Sequence, residues 1–224
     1  MRHFLFFLLA ITSALGCIGD DIIMDETPEA VRILNRLDTI AVGESYQFEA
    51  MFTNNIGVEE DRTVVWSSTD PAVLSINDSG LATALEKGMT VVSATVELEG
   101  KPAVTDQFTL IVDEETVVSN PTKMGVLKTT SSYNLKGSFT VEEINGKLTI
   151  SLSDDYEAST ALPGLYIYLG NNPSSISNAL EIGAVTVFDG AHTYEVPGVG
   201  INDYQYLLYW CKPFGVKVGE GEIQ

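Results

Sequence analysis

Apolar and polar residues alternate in short stretches along the chain, and turn-forming residues separate these stretches. Residues 46–52 alternate Tyr, Phe, Ala and Phe with Gln, Glu and Met, the period of two expected when one face of a strand is buried. Further short apolar stretches lie at 64–66, 73–76, 91–98 and 108–112. Repeated short strands with frequent turns, and no convincing helical stretch, predict an all-β sandwich.

The C-terminal half of the chain continues the strand pattern. Asn145-Gly146 separates the stretches 137–143 and 147–152 and predicts a hairpin, because both central residues of a type I′ turn need positive φ. Further strands are predicted at 165–169, 192–196, 204–211 and 214–218. The stretch 204–211 is largely apolar on both faces, so we expect a central strand that ends at Cys211.

The N-terminus has the layout of a secretory signal. A basic residue, Arg2, precedes an apolar run at 4–11, and small residues follow up to Cys17. The run is too short for a membrane-spanning helix, which needs roughly 20 apolar residues. Small residues before a cysteine resemble a lipobox, which implies that residues 1–16 are removed and that Cys17 carries a lipid. Ala14 stands where the lipobox prefers Leu, and an ordinary signal peptide followed by a chance cysteine is the alternative.

The segment behind Cys17 predicts where the protein is displayed. Asp20-Asp21 resembles the surface-export signal of Bacteroidetes lipoproteins, which implies lipid anchoring to the outer membrane with the protein exposed at the cell surface. The alternative is that these acids belong to a solvated tether. Residues 17–29 lack any sustained period and are predicted to form a flexible tether, so the membrane is an expected partner through the N-terminal lipid.

A set of ordered motifs at 30–112 carries a family resemblance. The motifs are Val42-Gly43-Glu44-Ser45, then Val-Trp-Ser-Ser-Thr-Asp-Pro-Ala-Val at 65–73, Ser-Gly-Leu-Ala-Thr-Ala at 79–84, and Lys87-Gly88. Together they resemble the group-two bacterial immunoglobulin-like (Big) domain. The resemblance implies an Ig-like sandwich that serves as a spacer or adhesive module on a bacterial surface, with Trp66 in its core. The polar stretch 113–121 is predicted to be a linker.

Residues 122–224 carry a second resemblance. The motifs are Pro-Gly-Leu-Tyr-Ile-Tyr-Leu at 163–169, Leu-Glu-Ile-Gly at 180–183, His-Thr-Tyr-Glu-Val-Pro at 192–197 and Trp-Cys-Lys-Pro-Phe-Gly-Val at 210–216. They are similar to the electron-transfer DM-thirteen domain, a small β-fold, and imply a second antiparallel sandwich or barrel-like domain. The resemblance also implies that Cys211 acts in redox chemistry, as a bare thiol or as the ligand of a prosthetic group such as haem. Gly164-Leu165 stands where the family often has Pro-Asp.

The cysteine count bears on this second domain. The chain has two cysteines, and if lipid occupies Cys17, Cys211 has no partner within the chain. His192 and Met124 are the other candidate ligands there, with His192 as the possible cofactor ligand. No Cys-x-x-Cys is present, which excludes a dithiol motif and covalent c-type haem attachment. The alternatives are that Cys211 is a small buried hydrophobe and that His192 is a satisfied polar residue.

Charge and motif absences narrow the function further. A net charge of −19 argues against nucleic acid as a partner, because phosphates would be repelled. No Gly-x-Ser-x-Gly elbow supports a hydrolase. Asp154-Asp155 and Glu59-Glu60-Asp61 lack the spacing of a calcium loop, so no metal site is expected.

Two functions remain open. The first is electron transfer through Cys211 with an unidentified redox partner and either haem or no cofactor. The second is a non-enzymatic adhesion protein that binds a glycan or a host protein, in which Cys211 is structural.

Overall fold

The computed structural model describes residues 26–224, and these residues are all-β apart from one short 3₁₀ turn. The predicted signal at 1–16, Cys17 and the tether up to residue 25 lie outside the described residues. Within residues 26–224, no helix has the length and hydrophobicity that crossing a membrane requires.

The first domain is a sandwich of short strands. Its strands are β1 (Ala30–Ile33), β2 (Leu37–Ala41), β3 (Ser45–Gln47), β4 (Ala50–Thr53), β5 (Glu59–Glu60), β6 (Val65–Ser68), β7 (Leu74–Ile76), β8 (Leu81–Ala84), β9 (Gly88–Val96), β10 (Val104–Asp113) and β11 (Val117–Val118). They form a five-stranded sheet, β11-β2-β10-β9-β6, and two three-stranded sheets, β1-β4-β5 and β3-β8-β7. Apolar residues from all three sheets enclose one core.

Phe48 is the buried anchor of this first core. Its side chain is 1% exposed, and its ring lies 5.0 Å from Tyr46, 5.5 Å from Phe108 and 6.1 Å from Trp66 between centroids. Trp66, which we expected inside the core, is half-buried and covers its edge.

The alternating stretch 46–52 is two strands and not one. β3 and β4 belong to different sheets, and the chain changes sheet at Phe48 and Glu49. The backbone groups of these two residues bond to partners outside either sheet: Phe48 N donates to Gly80 O at 2.9 Å, and Glu49 O accepts from Leu34 N at 2.9 Å. Alternation therefore continues through the crossing, because both halves face the same core.

The second domain is an antiparallel, nearly closed barrel. Its elements are β12 (Lys123–Thr129), β13 (Leu135–Ile144), β14 (Lys147–Leu152), β15 (Glu157–Ala158), β16 (Leu165–Gly170), β17 (Leu180–Ala184), β18 (His192–Pro197), β19 (Tyr206–Cys211), the 3₁₀ turn Lys212–Phe214 and β20 (Val216–Glu222). The strand order is β17-β16-β19-β20-β12-β13-β14-β18, and β15 pairs with β13. The predicted fold class, all-β with an Ig-like sandwich followed by an antiparallel barrel-like domain, is confirmed.

Local predictions in the barrel have mixed outcomes. Asn145 and Gly146 have φ of 54° and 72° and join β13 to β14, which confirms the hairpin. β19 lies between β16 and β20 with Leu207 to Cys211 buried, which confirms a central strand. The strand predicted at 214–218 is wrong at its start: Gly215, with φ of 62°, closes the 3₁₀ turn, and β20 begins only at Val216.

Candidate functional site

Cys211 lies at the end of β19 inside the barrel core. Its side chain is 0% exposed, and its register partner on β16 is Leu165. In the part of the chain that the structure describes, Cys211 has no disulfide partner. The adjacent ammonium of Lys212 turns to the surface, where it bonds to Glu181 at 2.7 Å and lies 4.7 Å from the Tyr166 ring centroid. Since a reactive thiol needs solvent access, Cys211 is not placed to react directly with a partner.

The surroundings of Cys211 do not fit a haem. The thiol belongs to one closed apolar cluster that also holds Leu165 and Tyr209. Met124, a candidate second ligand, is 61% exposed on the outer face of β12. A haem needs a cleft beside the ligating sulfur. The cleft between the two domains is lined by other residues and not by Cys211.

His192 is placed among tyrosines and not among metal ligands. Its Nδ1 lies 2.9 Å from Gly190 O, so Nδ1 carries the proton that this hydrogen bond requires. Its ring packs edge-on against Tyr156 at 4.8 Å and Tyr194 at 5.2 Å between centroids. Its Nε2 is buried without a hydrogen-bond partner among residues 26–224. The described residues hold no group of three or more His, Cys, Asp or Glu that could bind a metal ion.

Three tyrosines complete this buried polar cluster. The hydroxyls of Tyr156, Tyr194 and Tyr209 are buried and have no well-formed hydrogen bond within the described chain, although the phenols of Tyr156 and Tyr209 lie close enough to interact with each other. Burial raises the pKa of all three phenols. The phenols are therefore neutral at physiological pH, and among residues 26–224 no carboxylate shifts their pKa, so these phenols do not form an acid–base pair with a described carboxylate.

The two domains are joined by side-chain donors that reach across to backbone carbonyls. Three such bonds cross the joint: Arg32 Nη2 to Asp203 O at 3.0 Å, Asn172 Nδ2 to Ile56 O at 2.9 Å, and Asn202 Nδ2 to Leu34 O at 2.9 Å. Asn172 and Asn202 are 6% and 7% exposed, so both amides are buried in the joint. Buried polar groups that are paired in this way fix the relative position of the surfaces they join.

A glycine allows the closest backbone approach in the joint. Gly57 has φ of +74°, and a Cβ built on it would lie 2.7 Å from the carbonyl carbon of Asn171. Only glycine fits both the left-handed backbone and this contact.

The joint also buries positive charge. Burial lowers the pKa of Arg32 to about 10, and Asp203 and Asp106 partly oppose that shift. Burial, followed by Arg32 and Arg36, lowers the pKa of Lys123. Asp106 offsets this repulsion, because its carboxylate pairs with Arg36 at 2.6 Å.

A cleft of about 410 Å³ opens beside the joint, with walls from both domains. The first domain contributes Met51 and Glu59, and the second contributes Asn178, Asp203 and Tyr204. This is the candidate functional site, because ligand sites form preferentially in concave regions at domain interfaces.

The fold of the first domain agrees with a known family. Residues 29–108 match the bacterial Ig-like domain (group 2). This match confirms the Ig-like part of the sequence resemblance. No match was found among curated proteins. The lipobox and DM-thirteen resemblances stay predictions.

Sequence reasoning missed the cleft between the Ig-like domain and the barrel. Its residues come from two loops of the barrel, 171–179 and 198–205, and from β4, β5, the turn between them and Leu34 of the Ig-like domain. Asn171-Asn172-Pro173 and Asn202-Asp203 give a turn signal in the sequence. That signal does not reveal that their amides bond to another domain, whereas the motifs around Cys211 and His192 drew attention to the barrel interior.

Proposed function

We propose that this protein is an exported, lipid-anchored binding protein of the cell surface, whose ligand-binding site is built jointly by the Ig-like domain and the barrel. Bacterial Ig-like domains of this group are typical of surface and adhesive proteins. The observation that carries the proposal is the cleft beside the hydrogen-bonded joint, since a binding site with walls from two domains needs those domains held together.

The start of the described chain favours this arrangement over a simple spacer. Thr27 N donates to Asn55 O at 2.8 Å, and Gly57, two residues beyond Asn55, contacts Asn171 of the barrel. The chain therefore enters the Ig-like domain beside the joint. Because the chain enters beside the joint, the Ig-like domain does not lie end to end between the tether and the barrel, as a spacer domain would.

Lipidation and display are tested on intact cells. We expect the wild-type protein to incorporate labelled fatty acid and to be cleaved by protease added outside the cells. The Cys17→Ser variant should lose the label and leave the membrane fraction, while both domains keep their thermal unfolding. Retention of the label in Cys17→Ser, or full protection from external protease, would contradict the anchoring and display that we propose.

Electron transfer through Cys211 is the competing hypothesis. The complete burial of the thiol and the packing around it disfavour that hypothesis. The purified native protein should show no haem absorption band, and a maleimide should modify Cys211 only after denaturation. Rapid modification of the native thiol, or a reductant-sensitive absorption band, would favour electron transfer over binding.

A further inference from the structure

We propose that the cleft between the Ig-like domain and the barrel binds a neutral sugar, most simply one or two rings of a surface glycan. This inference rests on the proposed function and names the ligand class of the same site. Three observations support it: the polar groups that line the cleft, the hydrogen bonds that hold the loop carrying Tyr204, and the charge of the residues that line the cleft.

Three side chains present unused polar groups to the cleft. Glu59 offers a carboxylate, Asn178 an amide and Tyr204 a phenol, and none of these groups has a hydrogen-bond partner in the described chain. Glu59 and Asn178 are exposed, and Tyr204 is half-buried, packs against the barrel core and lines the cleft. Both acceptors and donors are thus available, because an amide provides both and a carboxylate accepts twice.

This combination matches the chemistry of a sugar ring. Neighbouring ring hydroxyls donate and accept at once, so planar amide and carboxylate groups can bind them in pairs. The C–H face of the ring is apolar and packs against an aromatic side chain, which Tyr204 provides. The volume of about 410 Å³ lies within the range of roughly 300–1,000 Å³ found for small-molecule sites.

The barrel side of the cleft is held by hydrogen bonds of its own. Asn171 Nδ2 donates to Asp203 O at 3.1 Å, and Asn171 Oδ1 accepts from Gln205 N at 3.1 Å. The carboxylate of Asp203 accepts from Gly200 N at 2.7 Å. Asn171 and Asp203 are therefore positioning residues, which fix the loop that carries Tyr204 before any ligand arrives.

The charge of the walls selects a neutral ligand. Burial raises the pKa of Tyr204, and Asp203 followed by Glu59 adds to this shift, so both carboxylates lie close to the phenol. An acidic sugar or a phosphate would meet these two negative charges, which the single positive charge of Arg32 offsets only in part. Arg32 Nη2 donates to Asp203 O on the joint side, and its Nε and Nη1 are buried donors without a hydrogen-bond partner among the described residues, so they are not exposed to a ligand in the cleft.

The test uses the mature chain without its lipid, residues 18–224. It is titrated by calorimetry with neutral trisaccharides of hexose and N-acetylhexosamine, and with sialylated counterparts. We expect binding of at least one neutral trisaccharide and weaker binding of its sialylated form. Tyr204→Ala should weaken binding by roughly tenfold or more, and Asn178→Ala by roughly fivefold. Tyr204→Phe keeps the ring and should stay within about threefold of wild type.

Matched controls separate the site from general damage. Asn120→Ala, at an exposed position in the linker, and Tyr133→Ala, in the barrel outside the cleft, should leave the affinity unchanged. Sugar binding that survives Tyr204→Ala and Asn178→Ala would overturn the site. Binding of no neutral sugar, or preference for the sialylated forms, would overturn the ligand class. In each case the fatty-acid labelling and protease experiments still decide the proposed function separately.

Discussion

The Ig-like domain and the barrel differ in how the buried hydroxyls of their interiors are paired. In the Ig-like domain, Thr90 is 2% exposed, and its hydroxyl contacts the hydroxyls of Ser68 and Thr69 and accepts from Asp70 N, at 2.8, 3.2 and 3.1 Å. In the barrel, the three buried tyrosine hydroxyls and His192 Nε2 have no well-formed hydrogen bond within the described chain, and the phenols of Tyr156 and Tyr209 interact with each other only at longer range. Aromatic rings contribute to both cores, but among the described residues the Ig-like rings around Phe48 carry no buried hydroxyl without a partner, whereas the barrel buries tyrosine hydroxyls.

The difference teaches that the two domains should respond differently to the same conditions. The barrel holds eight of the nine tyrosines, whereas the Ig-like domain holds Tyr46 alone. Each domain also contains one of the two tryptophans, Trp66 and Trp210, so fluorescence can report on each domain separately when the other tryptophan is replaced by Phe.

The largest expected effect comes from removing the anchor of the Ig-like core. Phe48→Ala deletes a fully buried ring with three aromatic neighbours, so we expect the Ig-like domain to lose about 3–5 kcal/mol of unfolding free energy. Urea unfolding followed by Trp66 fluorescence in a Trp210→Phe background measures this loss. A loss below about 1 kcal/mol would mean that Phe48 is not the centre of this core.

An intermediate effect is expected at the joint. Gly57→Ala forces a Cβ against Asn171 in a left-handed backbone, and we expect a cost on the order of 1–3 kcal/mol. The two tryptophan reporters should unfold together in the wild type and separately in this variant, because the domains are uncoupled.

Gly43→Ala is the matched control for that experiment. Gly43 has φ of +86°, but nothing lies within 4 Å of a Cβ built there. The control therefore carries backbone strain without the contact, and its two transitions should stay together. Separation of the transitions in both variants would show that strain alone, and not the contact with the barrel, uncouples the domains.

The smallest effect is expected from a buried hydroxyl. Tyr209→Phe removes a buried hydroxyl that has no well-formed hydrogen bond, only a weak interaction with the Tyr156 phenol, and keeps the ring, so stability at pH 7 should change by no more than about 1 kcal/mol. Tyr133→Phe, at a half-buried position, is the control and should change little. A loss of more than 1 kcal/mol on Tyr209→Phe would indicate that the hydroxyl is bonded in solution.

The same tyrosines predict the response of the barrel to alkali. Because burial raises the pKa of Tyr156 and Tyr209 above the ordinary value of 10, the unfolded chain releases these protons at lower pH than the folded chain. Their contribution to stability is complete below pH 10 and is lost as pH rises above it. The barrel should therefore lose stability more steeply than the Ig-like domain above pH 10, and Tyr209→Phe should reduce the slope. Equal slopes for the two domains would contradict the comparison.

The sequence predicted the elements that depend on neighbours in the chain. The Asn145-Gly146 hairpin followed from the φ requirement of two adjacent residues, and the central position of β19 followed from its two apolar faces. The crossing between sheets at Phe48 was missed, because alternation does not show which sheet a strand joins. The 3₁₀ turn before β20 was missed, because it depends on the backbone conformation of Gly215.

The candidate site was beyond the reach of such reasoning. Asn172 and Asn202 act through carbonyls that lie more than 100 positions away in the chain, at Ile56 and Leu34. Turn formers in a loop have the same composition whether their amides face water or another domain. The motif around Cys211, by contrast, was easy to recognise in the sequence, but the structure buries Cys211 in the core of the barrel.

The entry of the chain beside Asn55 sets a limit on distance. Nine residue steps separate Cys17 from Glu26, and a fully extended chain of that length spans at most about 30 Å. If Cys17 carries the lipid, the cleft is confined to a layer close to the membrane and cannot reach far into the medium. If the cleft also binds sugars as we propose, the protein would hold glycans that already lie at the cell envelope, and it would bind long polysaccharide chains only at their near ends.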